Sequence, residues 1–237
     1  MTDRLPSNRE LARRARTALA DGPLLTVAVP KGRLTDEASL LFESALGVSP
    51  KALLGKTRKL FADAPEVGLR FISIRAADVA SYVEHGAAQV GIVGLDVLRE
   101  EPRDLYEPLD LGIGRCEVIV ARPRGAKPLP RGVTPRIATK YVSLAAAHFA
   151  KKGLPAEVIA LHGSIEVAPS LGLADAIVDI TETGETLRAN GLEVEESVLP
   201  VSARLVVNRV ALKLHPERLR LLVAALREAC RPSPREG

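Results

Sequence analysis

Tryptophan is absent from this 237-residue chain, and aromatic residues make up only 3% of it. Few rings are therefore on hand for unpaired bases to stack on. The 33 lysines and arginines nearly balance the 29 acidic residues and form no long basic block, so a nucleic-acid groove is not the expected function. No apolar run reaches the roughly 18 residues that a membrane-spanning helix needs, and the N-terminus lacks the apolar core of a signal peptide. No membrane partner is expected. The two cysteines, Cys116 and Cys230, lie far apart and follow neither metal nor redox spacing. They read as reduced structural thiols in a cytoplasmic protein. Among the histidines, His85, His148, His162 and His215, no nucleophile or metal constellation forms; His162 borders the motif treated next and reads as structural. No internal repeat or low-complexity segment stands out.

What is present is the composition of an ordinary globular protein, 46% hydrophobic and 26% charged, with chain enough for one large or two modest domains. A net charge of +4 without basic blocks suits small phosphorylated ligands. The most informative stretch is HGSIEVAPSLGLADAIVDITETGETLRANG, residues 162 to 191. Its apolar run Ala174 to Asp179 predicts a buried parallel strand, with Asp179 at the carboxyl end, where open α/β sheets place ligand contacts. The polar turn Thr181-Glu182-Thr183-Gly184-Glu185-Thr186 follows, then a short helix closed by Gly191. Backbone N–H groups, hydroxyls and a helix start together favour a phosphate. A plain capped helix is the bland alternative, since Thr and Gly begin many helices. Asp175 and Asp179 tilt the balance, because carboxylates beside a phosphate suit a ribose diol or a hydrated Mg²⁺.

Earlier in the chain, the apolar strand Leu24 to Val29 runs into Pro30-Lys31-Gly32-Arg33, followed by a helix that Thr35 is expected to cap and Gly47 to stop. Lys31 and Arg33 at a strand end suit phosphate oxygens; solvated cations are the alternative. The loop is not a Walker A motif. A basic cluster holds Arg58, and a strand ending at Ile74 delivers Arg75, with Asp78 as the expected cap of the next helix. Residues 121 to 135, rich in Pro, Gly and cations, read as a surface crossing between two lobes. Residues 1 to 23 read as a solvated polar helix, with a partner-docking surface as the alternative.

This pattern predicts an α/β, two-lobed, periplasmic-binding-protein-like (type II) fold. Each lobe would hold a mostly parallel sheet, with a central cleft between the lobes. Lobe I would span 24–117 and 202–237; lobe II, with the polar phosphate turn, would span 118–201.

The segments PKGRL at 30 to 34, RAADVASYVEHGAAQVGIVGLDVL at 75 to 98, LDLGIGRC at 109 to 116 and GSIEVAPSLGLADAIVDITETGETLRANGL at 163 to 192 resemble the ATP phosphoribosyltransferase family. The resemblance covers Leu24 to Leu212. It implies condensation of ATP with 5-phosphoribosyl 1-pyrophosphate, with Mg²⁺, to N1-(5-phosphoribosyl)-ATP and pyrophosphate, the first step of histidine biosynthesis. By the same resemblance Thr181, Thr183, Gly184, Glu185 and Thr186 would hold the 5-phosphate. Asp179 and Asp175 would take the ribose hydroxyls or a metal-bound water, with Mg²⁺ carried by the substrate. Arg75, Arg58 and Lys31 would face pyrophosphate or the ATP phosphates, with Arg33 in support. Glu166 would either meet ATP or cap a helix. The length resembles the short form, whose members form a homodimer and assemble with a histidyl-tRNA-synthetase-like regulatory subunit. Two positions depart from the family pattern: Ala80 stands where Pro is frequent and Leu95 where Lys is common. The rival reading is a non-catalytic small-anion binding protein on the same hinged fold.

Overall fold

A computed structural model describes residues 8–55, 60–126 and 132–231. The chain opens with α1 (Asn8–Ala20), β1 (Leu25–Pro30), α2 (Arg33–Leu46), α3 (Pro50–Gly55), β2 (Phe61–Ala64), β3 (Leu69–Ile74), α4 (Ala76–Glu84), β4 (Val90–Gly94), α5 (Leu95–Glu100) and β5 (Leu105–Asp110). It continues with β6 (Cys116–Pro123), β7 (Arg136–Thr139), α6 (Val142–Lys151), β8 (Glu157–Ala160), β9 (Ala176–Thr181) and α7 (Glu185–Ala189). It closes with β10 (Leu192–Val201), β11 (Ala203–Asn208), α8 (Arg209–Leu214) and α9 (Pro216–Ala229), and single 3-10 turns lie at Pro65–Val67 and Ile165–Val167.

These elements form two compact units, each with its own sheet: Met1–Leu98, Arg103–Gly114 and Ser202–Gly237 in the first, Arg99–Pro102 and Arg115–Val201 in the second. The first sheet has the order β2-β3-β1-β4-β11-β5 and the second β10-β6-β9-β7-β8. Leaving β2 aside, both follow one plan. β3, β1 and β4 run parallel, β11 pairs antiparallel with β4, and β5 antiparallel with β11. In the second unit β8, β7 and β9 run parallel, then β6 and β10 follow, each antiparallel to its neighbour.

Each sheet thus joins three parallel strands to two antiparallel ones on one side, with β2 a further antiparallel edge strand of the first, rather than being mostly parallel. β6 and β11 mislead the sequence reading for a physical reason. Each buries four consecutive residues, Val118 to Ala121 and Leu205 to Asn208, because both faces are covered. Continuous apolar runs of that kind usually mark parallel strands. Residues 121 to 126 and 132 to 135 are likewise not a crossing between lobes, since both stretches belong to the second unit; 127 to 131 lie outside the described residues.

In the first unit, Leu25, Val27 and Val29 of β1 pack with Phe42 and Leu46 of α2 and with Phe71, whose ring meets Phe42 edge-on at 5.2 Å. α2 starts at Gly32, with φ 100°, and not at Thr35, whose hydroxyl instead donates to the Pro30 carbonyl. Gly47 stops it in the left-handed conformation, as its sequence position predicts.

α1 is not a solvated helix. Ala15 and Leu19 are fully buried in the same core, and burying one leucine stabilises by about 1.5–3 kcal/mol. The buried Arg218 of α9 donates from Nη2 to the carbonyls of Leu19 and Pro23, at 2.6 and 2.8 Å, which fixes the end of α1. Close approach there requires Gly68: a Cβ at this position, at φ 60°, would collide with the Leu19 backbone. Arginines on every turn make α1 read as polar, while its narrow Ala15–Leu19 stripe carries the docking.

The second unit closes around Ile119, Ala121, Ala138, Ile165, Ile177, Leu187 and Leu192. Its sheet brings the carboxyl ends of β7, β8 and β9 to one edge.

Candidate active site

In the first unit β1 is the switch point: the chain leaves it for β3 on one side and returns to β4 on the other. Ligands of open α/β sheets bind outside the strand carboxyl ends at such a point. Pro30 pairs with Ile74, and the Lys31 N–H donates to the Ile74 carbonyl at 2.8 Å, so Lys31 and Arg75 emerge side by side from adjacent strands. Neighbouring strands lie about 4.8 Å apart. Both side chains are exposed, and among the described residues neither has an ion-pair partner. Arg33 stands apart in role, with Nε 3.6 Å from Glu37 Oε1 one helical turn on. Glu37 in turn accepts the Gly114 N–H at 2.8 Å, tying the loop down. Arg58 lies outside the described residues. Arg75, not Asp78, occupies the N-cap position of α4, and Asp78 sits in its first turn. Leu95 is buried as the first residue of α5, directly after β4, so that position presents no cation. Ala80 is buried in the helix interior of α4.

The second unit has its switch point at β7, between β8 and β9. Here β9 runs into the polar turn, and hydroxyls hold the turn's shape. Thr181 Oγ1 accepts the Gly184 N–H at 3.0 Å, and Thr183 Oγ1 accepts the Glu185 N–H at 3.4 Å. Gly184, at φ 71°, lets the chain turn into α7; a Cβ there would sit 3.0 Å from Arg188 Nη1. Thr183, Glu185 and Thr186 are exposed around it.

Asp179 lies on this edge with its side chain 20% exposed. Its Oδ1 accepts the Ile180 N–H at 2.8 Å. Burial raises its pKa above the ordinary carboxylate value, against the Ile180 N–H and the charge of Lys140, which lower it; the Glu166 charge adds to the rise. Glu166, in the 3-10 turn Ile165–Val167, therefore faces Asp179 electrostatically. Ser164 just before it is held at φ 51°, the one described non-glycine residue at positive φ.

Asp175 does not join this group. It precedes β9 at the amino end, four residues or about 13 Å along the strand from Asp179. Its Oδ2 accepts the Arg136 N–H at 2.8 Å and lies 3.7 Å from Arg136 Nε. The carboxylate secures the start of β7 against β9.

Sequence reasoning missed Lys140. It follows β7 directly, as Lys31 follows β1, with Nζ 3.9 Å from Asp179 Oδ1 and 4.8 Å from the Tyr141 ring centroid. Beneath it Thr139, fully buried, donates to the Val178 carbonyl at 2.6 Å and accepts the Tyr141 N–H at 2.8 Å. The available signal was a lysine immediately after a short apolar strand, the pattern that singled out Lys31. Glu100 was missed too: its two carboxylate oxygens accept the Ser143 and Leu144 N–H groups at 2.8 and 3.0 Å, so the start of α6 is already capped by an anion.

Comparison with known proteins agrees with the motifs. A family profile described as "HisG: ATP phosphoribosyltransferase" matches residues 75–228. The ATP phosphoribosyltransferase of Anaeromyxobacter dehalogenans (strain 2CP-C) is 84% identical over 206 residues, 87% of this chain and 93% of that protein. That of Halorhodospira halophila is 47% identical over 208 residues, 87% of this chain and 96% of that protein. Among solved structures, the Thermotoga maritima ATP phosphoribosyl transferase (HisG:HisZ) complex matches with a TM-score of 0.74 and 32% identity, over 87% of this chain and 98% of that one. The periplasmic VFT2 domain of Bordetella pertussis BvgS matches at TM-score 0.57 and 14% identity, over 92% of this chain and 98% of that one, a likeness of fold alone. On the profile match and these identities, the chain belongs to the ATP phosphoribosyltransferase family.

Proposed function

We propose that this protein is the enzyme that joins ATP and 5-phosphoribosyl 1-pyrophosphate into N1-(5-phosphoribosyl)-ATP and pyrophosphate, opening histidine biosynthesis. The observation that carries the reading is the strand–turn–helix from Ala176 to Ala189, with its hydroxyl-held turn beside Asp179, in a chain of this family.

Adenine N1 already holds a lone pair, so the reaction needs no strong base. The N1–C1 bond forms as the C1–O bond to pyrophosphate breaks, and the bonding electrons leave on the pyrophosphate oxygen. Catalysis is alignment of two polyanions and stabilisation of the departing charge. In the second unit Thr181, Thr183, Gly184, Glu185 and Thr186 bind the 5-phosphate, and Asp179 accepts from the ribose hydroxyls. Glu166 beside it orients this carboxylate or meets ATP. Asp175 serves the sheet and not the substrate. In the first unit Lys31 and Arg75 take phosphate oxygens, as does Arg58 of the basic cluster, with Arg33 held in reserve by Glu37.

The residues fit Mg²⁺ as an ion carried by the substrate. No cluster of three or more metal-ligating side chains exists among the described residues, and Mg²⁺ typically keeps waters and substrate phosphates as ligands. When bound, it neutralises charge on the pyrophosphate. We also assign to this chain a HisZ-like regulatory partner, supported by its likeness to the T. maritima HisG:HisZ complex, and a homodimeric state. A cytoplasmic location accords with the lack of any helix, among the described residues, long and apolar enough to cross a membrane.

Incubation with ATP, 5-phosphoribosyl 1-pyrophosphate and Mg²⁺, with and without a synthetase-like partner, should release pyrophosphate. Absence of release in both cases refutes the proposal and favours a small-anion binding protein.

A further inference from the structure

The two sheets share one plan, and their switch-point strands end alike. β1 ends at Pro30 and is followed by Lys31; β7 ends at Thr139 and is followed by Lys140. The equivalence is topological, since each is the middle of three parallel strands and the chain departs to one side and returns on the other.

Lys140 is also held in a way that leaves its donors open. Its Nζ is 3.9 Å from Asp179, within ion-pair range and beyond a hydrogen bond. The Tyr141 ring, whose residue is only 4% exposed, lies under the ammonium at 4.8 Å. The side chain is 42% exposed. Among the described residues no group accepts a hydrogen bond from the ammonium.

Charge makes a cation necessary here. The Glu166 charge acts on the Asp179 carboxylate at the β9 edge, and this pair would repel a phosphate dianion. The start of α6, the nearest ready-made anion site, is occupied by the Glu100 carboxylate. Lys140 at Asp179 and Arg188 at Gly184 are cations, among the described residues, that flank the turn.

We propose that Lys140 is a substrate-binding residue, the cation of the second unit that takes a phosphate oxygen of the phosphoribosyl donor while Asp179 takes the ribose hydroxyls. This rests on the phosphoribosyl-transfer reading above.

The test compares Lys140→Met and Lys140→Arg in the full chain. Loss of one charge-assisted contact should raise KM for 5-phosphoribosyl 1-pyrophosphate roughly 10- to 100-fold in Lys140→Met. KM for ATP should stay within about twofold, and Lys140→Arg should recover most of the loss. Calorimetric titration with ribose 5-phosphate and, separately, with inorganic pyrophosphate identifies the phosphate engaged: Lys140→Met should weaken at least one of them. An unchanged donor KM and unchanged titrations overturn the proposal. So does an equal loss for ATP that arginine fails to rescue, because that marks a structural role. If the wild-type chain releases no pyrophosphate, the transfer reading fails, while the ribose 5-phosphate titration still reports on Lys140.

Discussion

Thr139→Val removes one oxygen from beneath the β7–β9 edge and keeps the side-chain shape. The hydroxyl donates to the Val178 carbonyl at 2.6 Å and accepts the Tyr141 N–H at 2.8 Å. Valine loses the first bond, worth about 1 kcal/mol, and leaves the second group, on a residue 4% exposed, without an acceptor. An unsatisfied buried donor costs about 1–3 kcal/mol, so the sum is about 2–4 kcal/mol. For a chain of this length that lowers Tm by roughly 4–16 °C. Thr139→Ser is the control, since it keeps the hydroxyl and loses one methyl, about 0.8–1 kcal/mol. Urea unfolding followed by circular dichroism measures both. A valine variant no less stable than the serine variant would refute the reasoning. Because Thr139 and Tyr141 bracket Lys140, the valine change should also raise KM for the phosphoribosyl donor in whatever fraction remains folded.

Asp179→Asn should abolish most turnover yet raise Tm at pH 7. The folded-state pKa lies above the unfolded one, so the folded state binds the proton more tightly, and the wild-type chain loses stability as pH rises through the window between them. The gain from Asn should vanish below the ordinary aspartate value of about 3.9; a gain that persists there contradicts the assignment. Leu19→Ala should cost about 2–5 kcal/mol in chemical unfolding, because the side chain is fully buried between α1 and the core. A cost under about 0.5 kcal/mol would mean that α1 is dispensable to the fold. Glu100→Ala should cost about 1 kcal/mol by uncapping α6, read by amide hydrogen exchange at Ser143 and Leu144. Arg75→Ala should lower kcat/KM far more than Tm, since the side chain is exposed and unpaired among the described residues; equal loss of both would make it structural.

Local signals located most elements because their causes are local. Gly47 ends α2, Pro216 opens α9, and the apolar run before Asp179 is β9. The turn at Thr181 to Thr186 was legible for the same reason: its hydroxyls bond to amides two and three residues away. Where partners come from afar, residue type alone misled. Asp175 and Asp179 look equivalent on paper, but they sit at opposite ends of one strand, and Arg136, nearly forty positions away, claims the first. Thr35 resembles a cap, yet Gly32 begins the helix and the hydroxyl turns to Pro30.

The sequence by itself determined the family, the α/β class, the polar turn after β9 and the place of Lys31 and Arg75 at strand ends, because these reside in short segments whose chemistry is complete within a few residues. Tertiary structure alone decided that Lys31 and Arg75 emerge from adjacent strands, that Lys140 stands at Asp179, that Glu100 fills the start of α6 and that α1 is core. Each of these depends on which strands become neighbours, and strand order is set by long-range packing of apolar faces that no short window contains.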